Sequence, residues 1–142
     1  MLSGRSPAKL DDKWRFVLPA KFRAAAGTQL FFAKAGEGQL QLLTLRAFES
    51  ERDMHRLAVS EGRDPHKWAM RAFMESVEQI TLDSQARVPV MEKLRSFAGL
   101  QDRGELTLIG MDDRIEVWDA ASYPVIAAAM IAAAEEAERA GR

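Results

Sequence analysis

Leu10-Asp11-Asp12-Lys13-Trp14-Arg15-Phe16-Val17-Leu18-Pro19-Ala20-Lys21-Phe22-Arg23 has a second copy in the chain, Leu82-Asp83-Ser84-Gln85-Ala86-Arg87-Val88-Pro89-Val90-Met91-Glu92-Lys93-Leu94-Arg95. At a constant offset of 72, Leu10 matches Leu82, Asp11 matches Asp83, Arg15 matches Arg87 and Arg23 matches Arg95. Gly27 and Gly99 close both copies at that offset. Beyond Gly99 the second copy carries extra loop residues, and the match resumes at an offset of 75. There Leu40-Gln41-Leu42-Leu43 faces Ile115-Glu116-Val117-Trp118, and Phe48 faces Tyr123. A period this long, used twice, is not a solenoid; it reads as two supersecondary units that bury their faces against each other.

Each unit reads as strand, short helix, strand, strand. Residues 1–8, with Gly4 and Pro7, read as a loop or a short edge segment. A strand around Lys9–Asp11 runs into a turn whose first carboxylate can accept a backbone N–H two residues on. Phe16-Val17-Leu18 is an apolar run suited to a buried strand. Pro19 fits a first helical position, Ala20–Ala26 a short helix, and Gly27 a left-handed stop. Leu30–Ala33 and Leu40–Leu43 form a hairpin about Gly36-Glu37-Gly38. Residues 45–58 read as an exit helix with Leu45, Phe48, Met54 and Leu57 apolar. Ser60–Pro65 is a connector. Residues 66–76 form a central helix whose Trp68, Ala69, Ala72 and Phe73 are expected to pack on the sheets. The second unit starts near Val77, with strands at Ile80–Leu82 and Arg87–Val90, and a helix over Met91–Ala98. A hairpin follows, Leu106–Ile109 and Ile115–Trp118, turning at Met111-Asp112-Asp113. The final alanine-rich helix is expected to be capped by Ser122 rather than Asp119, which would set Pro124 too deep, and to run to about Ala140. The expected class is α+β: a first half with its exit helix over 1–58, a connector and central helix over 59–76, and a second half with the C-terminal helix over 77–142.

The length of 142 residues suits one compact domain or two small fused halves, and 47% hydrophobic residues suffice for a core. With no cysteine, disulfides, thiolate catalysis and thiolate zinc sites are excluded. No apolar run is long enough to span a bilayer, and no signal-peptide core opens the sequence, so a cytosolic location is expected. The net charge is only −1, but it is unevenly distributed. Residues 1–23 hold six Lys/Arg against two Asp, a net of +4, and residues 112–142 hold three basic against seven acidic residues, a net of −4. A basic head permits a nucleic-acid surface at one end; ordinary solvated charge would look the same.

These residues carry a resemblance. Leu10-Asp11-Asp12-Lys13-x-Arg15 with Leu18-Pro19-Ala20-Lys21-Phe22-Arg23 resembles the first signature of the MraZ family of bacterial transcriptional regulators. Asp83, Arg87 and Leu94-Arg95-x-x-Ala98-Gly99-Leu100 resemble the second, and Arg71 and Ile115-Glu116-Val117-Trp118-Asp119 extend the likeness over essentially the whole chain. The resemblance implies a swapped-hairpin, AbrB/SpoVT-like fold in which two halves interlock as a pseudo-dimeric barrel with peripheral helices. It implies a ring-shaped homo-oligomer, associated with the nucleoid. Such a ring binds double-stranded DNA at short repeated boxes upstream of its own gene and the division and cell-wall gene cluster. No cofactor, metal, membrane or small-molecule substrate is implied.

Side-chain chemistry supports the same reading. In an extended segment Asp11, Lys13 and Arg15 point to one side. Arginine offers a planar fork for phosphate or a guanine edge, and lysine a point charge for phosphate. Lys13 and Arg15 are therefore the expected main DNA contacts, with Lys9 and Arg5 as flanking phosphate contacts. Arg87 is the equivalent in the second copy, but its neighbour Gln85 replaces lysine, so weaker binding or a structural role is expected there. Asp11 and Asp83 would hold the arginines in orientation. The competing reading of Arg15 and Arg87 is an Arg–Asp pair that only pins a turn.

The chain departs from the family pattern where Trp14 and Ala86 stand in place of glycines before each signature arginine. If the turn needs a positive φ, Trp14 costs about 1 kcal/mol or more. Its ring could stack on a base or sugar, or pack on its own protein. Pro89 sits inside a strand, which suggests an edge or a bulge. Three alternatives follow. An oligomeric interaction module that has lost DNA binding would account for Trp14 and Ala86. An AbrB-type antitoxin is usually shorter, with one signature. An enzyme would need converging groups, yet Asp11/Asp12 and Asp112/Asp113 are adjacent pairs, and His55 and His66, both expected at the surface, show no ligand spacing.

Overall fold

The structure is a computed structural model that describes residues 1–141. The elements in order are β1 Leu2–Lys9, β2 Arg15–Val17, α1 Ala20–Ala26, β3 Gln29–Lys34, β4 Leu40–Thr44, α2 Leu45–Ser60, α3 Asp64–Ser76, β5 Glu78–Thr81, β6 Arg87–Pro89, α4 Glu92–Phe97, β7 Glu105–Asp112, β8 Arg114–Asp119 and α5 Tyr123–Ala140. The protein is α+β. A six-stranded antiparallel sheet has the order β1-β7-β8-β4-β3-β5, and β2 and β6 form a separate two-stranded ribbon.

The registers relate the two copies. Strand β1 pairs with β7, and β5 pairs with β3, so each copy's first strand lies in the other copy's hairpin. In the ribbon Phe16 sits opposite Val88, which is its own equivalent at the offset of 72. Strands β4 and β8 pair with Gln41 opposite Glu116, again a position facing its counterpart at the offset of 75. The same relation runs through single hydrogen bonds. The Leu18 N–H donates to the Ala86 carbonyl at 2.8 Å, and the Val90 N–H to the Trp14 carbonyl at 2.9 Å.

Strand alternation explains two cores. Leu30 and Phe32 on β3 and Leu40 and Leu42 on β4 face the main core, with Phe16, Leu18, Phe22, Val88 and Leu94 from the ribbon and short helices. Phe31, Ala33 and Leu43 face the other side, where Ala47 and Phe73 of α2 and α3 cover them. Phe48 stacks on Phe31 at 4.1 Å and lies 6.0 Å from Phe73. Strand β3 is thus covered on both faces, which its continuous apolar run reflects.

Several expectations are corrected. Residues 1–8 are mostly strand, an eight-residue edge paired along its length with β7. The Phe16-Val17-Leu18 run is half-buried: Phe16 and Leu18 turn inward while Val17 is 50% exposed, because a two-stranded ribbon lies on the core with one face only. On α2 and α3 the expected core stripe is largely exposed: Leu57 and Trp68 are 58% and 72% exposed, and Ala69 and Ala72 are exposed too. Phe73 of that stripe is buried as expected, and Ala47 and Ala58 are buried with it. His55 is not at the surface; it packs 5.3 Å from Phe73 and 5.9 Å from a half-buried His66. Its Nδ1 has no hydrogen-bond partner among the described residues. Helix α5 does start after Ser122, but that side chain makes no cap; the Asp119 carboxylate accepts from both the N–H and the hydroxyl of Ser122.

Candidate nucleic-acid interface

Residues 11–14 form the turn expected after Lys9–Asp11, so Asp11, Lys13 and Arg15 do not lie on one side of an extended segment. The Trp14 N–H donates to the Asp11 carbonyl at 3.2 Å, and the Asp11 N–H to the Arg15 carbonyl at 2.8 Å. One Asp11 oxygen accepts the N–H groups of Lys13 and Arg15, and the other accepts Arg15 Nε at 2.9 Å. A short acceptor side chain thus closes the turn on its own backbone. The second copy repeats it: the Ala86 N–H donates to the Asp83 carbonyl, and the Asp83 carboxylate accepts the N–H groups of Gln85 and Arg87. Arg87 adds both Nε and Nη2, at 2.9 and 2.6 Å.

Both turns need a left-handed residue. Trp14 and Ala86 adopt φ of 59° and 55° at the positions where the resemblance puts glycine. The Trp14 ring packs on its own protein, beside the main core, with the Arg95 guanidinium 4.2 Å from its centroid. Arg95 also donates to the Val90 carbonyl, as its equivalent Arg23 donates to the Leu18 carbonyl. These two signature arginines therefore fasten each short helix to the end of its own ribbon strand.

The carboxylates are held ionised. Asp11 lies below the usual carboxylate range, chiefly through the Arg15 N–H, with the Lys13 N–H and the Arg15 side chain adding to it. For Asp83 the leading cause is the Arg87 side chain. The difference matters for the cations. Nη1 and Nη2 of Arg15 have no partner among the described residues, whereas Arg87 spends Nη2 on Asp83. Both ion pairs are partly solvent-exposed, so they orient the arginines more than they stabilise the fold.

The ribbon brings the two arginines together. Phe16 and Val88 point to the core, so Arg15 and Val17 on β2 and Arg87 and Pro89 on β6 share the outer face. Arg15 lies opposite Pro89 and Arg87 opposite Val17, which sets the two arginine positions on a diagonal of about 7–8 Å. Lys13 and Gln85, at the two turns, are exposed. Lys9 is exposed at the end of β1, opposite Glu105. Arg5 lies apart: its guanidinium sits 5.0 Å from the Tyr123 ring at the start of α5, and its carbonyl accepts Lys21 Nζ at 2.6 Å. The sequence signal for this shared face was the alternation Arg15-Phe16-Val17-Leu18 and Arg87-Val88-Pro89-Val90, in which every second residue is buried.

Among the described residues no group of three or more His, Asp or Glu could hold a metal ion, and no helix is long and apolar enough to cross a membrane.

Known proteins resemble this chain over most of its length. A family model described as MraZ protein, putative antitoxin-like, matches residues 73–142. A protein of Clavibacter michiganensis named transcriptional regulator MraZ is 36% identical over 126 residues, covering 87% of this chain and 84% of its own length. One of the same name from Micrococcus luteus is 33% identical over 138 residues, covering 97% of this chain and 94% of its own. One from Kocuria rhizophila is 35% identical over 123 residues, with 87% and 84% covered. With relatives of this identity spanning both copies of the repeat, the chain belongs to the MraZ family.

Proposed function

We propose that this protein is a sequence-specific, DNA-binding transcriptional regulator rather than an enzyme. It would act as a ring-shaped homo-oligomer on repeated boxes upstream of its own gene and the division and cell-wall gene cluster. The observation that carries the reading is the outer face of the β2–β6 ribbon. Arg15 and Arg87 are presented there side by side on carboxylate-closed turns, with Lys13 at one of them and no acidic group between the two arginines in the ladder. The relatives' shared name supports a regulator. The exchange of first strands and the paired equivalents on β2–β6 and β4–β8 support a swapped-hairpin barrel, in which repeat units 1–58 and 77–142 interlock and the central segment 59–76 packs outside.

A two-stranded ribbon can enter a major groove, where an arginine fork reads guanine O6 and N7. In this reading Arg15 reads a base edge through the two amino groups that Asp11 does not engage, Lys13 and Lys9 meet phosphates, and Arg87 contributes from the second copy. Arg5, stacked on Tyr123, is the weakest of the proposed contacts. One such patch is a small footprint, and a ring presents several to repeated boxes, raising avidity through effective concentration. The site of action is then the nucleoid in the cytoplasm.

The test is a titration of the protein against the duplex upstream of its own gene, beside a scrambled duplex and an Arg15→Ala variant, at two salt concentrations. Preferential binding that weakens with salt and falls roughly 10-fold or more with Arg15→Ala is expected. Equal binding to the scrambled duplex would reduce the contacts to phosphate alone. No binding by the folded protein at low salt would leave an oligomeric interaction module, in which the Asp11–Arg15 and Asp83–Arg87 pairs serve only to pin the turns.

A further inference from the structure

Helices α2 and α5 are equivalents. Each follows the last strand of its copy, and Phe48 and Tyr123 correspond at the offset of 75. They differ in what covers them. Helix α2 lies under α3: His55 and Ala58 are buried there, and Phe48 and His55 stack near Phe73. At the same offset His55 becomes Met130 and Ala58 becomes Ala133. On α5 both are exposed, and among the described residues no helix stands in the place of α3. Among the described residues the ring contacts of α5 are at its first turn, where Tyr123 lies 5.2 Å from Trp118 and 5.0 Å from the Arg5 guanidinium. From there the stripe Tyr123, Ile126, Ala127, Met130, Ile131, Ala134 continues at helical spacing, half-buried at its start and exposed beyond. Met130 and Ile131 are 52% and 60% exposed. In proteins most helical stability comes from a covered apolar face rather than from propensity.

The same chain carries an apolar groove of about 370 Å³ between α2 and α3, floored by Val59, Met70 and Met74 and rimmed by Lys67 and Arg71. The charges match. The last turns of α5 and the residues after it, Glu135 to Arg142, hold three glutamates against two arginines, and Arg139 pairs with Glu136 at 2.7 Å. That is the helix end where the macrodipole favours cations, and basic groups supplied from outside would neutralise it. The groove rim is basic.

We propose that α5 of one copy lies in the α2–α3 groove of a second copy, with its Met130 and Ile131 on Val59, Met70 and Met74. Its acidic end then meets Lys67 and Arg71. The contact joins two different patches head to tail, so it repeats from copy to copy and closes into a ring when the rotation allows. It rests on the reading that the chain self-associates, and it names the two surfaces that do so.

The test is the solution mass, by light scattering, of the full chain, of a Met130→Glu/Ile131→Glu variant and of a Met74→Glu variant. Each variant is checked for native circular dichroism. The unaltered chain is expected to form the assembly. Each variant is expected to fall to the 15.9 kDa chain mass, and an equimolar mixture of the two to recover a dimer, because one variant keeps its groove and the other its α5. A second pair keeps the surface apolar groups intact. Arg71→Glu alone is expected to weaken assembly at low salt, and adding Glu135→Arg in the same chain to restore it. If the unaltered chain assembles while the apolar variants keep its mass, or their mixture stays monomeric, the α5–groove contact is overturned and the ring reading stands on another surface. If the unaltered chain is itself monomeric at all concentrations, self-association fails and this contact fails with it.

Discussion

At Trp14 two demands compete on one residue. The turn needs φ of 59°, which costs an L-residue about 1–2 kcal/mol relative to the right-handed region. The ring offsets this by covering core side chains and by lying 4.2 Å from the Arg95 guanidinium, a contact of about 0.5–1 kcal/mol before the apolar burial is added. Two substitutions separate the terms. Trp14→Ala removes the ring and keeps the strained φ, while Trp14→Gly removes the ring and relieves it. Both variants are expected to unfold at lower denaturant than the parent, with the glycine variant about 1 kcal/mol more stable than the alanine one. An alanine variant equal to the glycine one would mean that the turn leaves the left-handed region once the ring is gone. The sequence made this conflict visible, since two non-glycine residues stood at matched positions before matched arginines. It also placed a turn here, with Asp11 accepting the N–H two residues on, but left open whether Asp11, Lys13 and Arg15 lie on an extended segment. A spacing of Asp11, Lys13 and Arg15 fits a strand as well as a loop, and only the donors gathered by the Asp11 carboxylate decide for the loop.

Element by element, legibility followed locality. The hairpin β3–β4 and the short helices α1 and α4 were readable, because glycine and proline mark their ends and their apolar patterns are contiguous. The β2–β6 ribbon was not. It is only three pairs long and joins residues about 72 apart, so no local signal announces it. Helices α2 and α3 misled for a different reason. Their sequences hold apolar residues on more than one side, and periodicity cannot tell which side meets the chain's own sheet. Phe73 does: it is 9% exposed and sits 6.0 Å from Phe48, which stacks on Phe31 of β3. Phe73→Ala is therefore expected to destabilise the fold by about 3 kcal/mol through lost burial and a residual cavity. Trp68→Ala, at 72% exposure, is expected to stay within about 0.5 kcal/mol. Urea unfolding of the two variants orders them, and the reverse order would place the apolar face of α3 on the wrong side.

Over the whole molecule the two copies meet about a relation that places each ribbon strand against its own equivalent, yet their turns are not equal. Lys13 stands at one turn and Gln85 at the other, while Arg15 and Arg87 occupy matching places on the same outer face. Arg15 leaves both amino groups without a partner among the described residues, whereas Arg87 gives one to Asp83. If a single duplex lies across that face, the second turn is at a phosphate distance similar to the first and lacks only the charge. Gln85→Lys should then strengthen DNA binding several-fold at low salt and raise the slope of log affinity against log salt by about one unit per subunit engaged, without new base preference. Lys13→Gln should lower the slope by the same amount, and the double exchange, Lys13→Gln with Gln85→Lys, should return it near the parent value. Fluorescence anisotropy at four or five salt concentrations measures all three. A parent-like slope for Gln85→Lys, beside a reduced one for Lys13→Gln, would mean that only the first copy faces the duplex, and that the second copy's Asp83–Arg87 pair is there to hold the ribbon's other end.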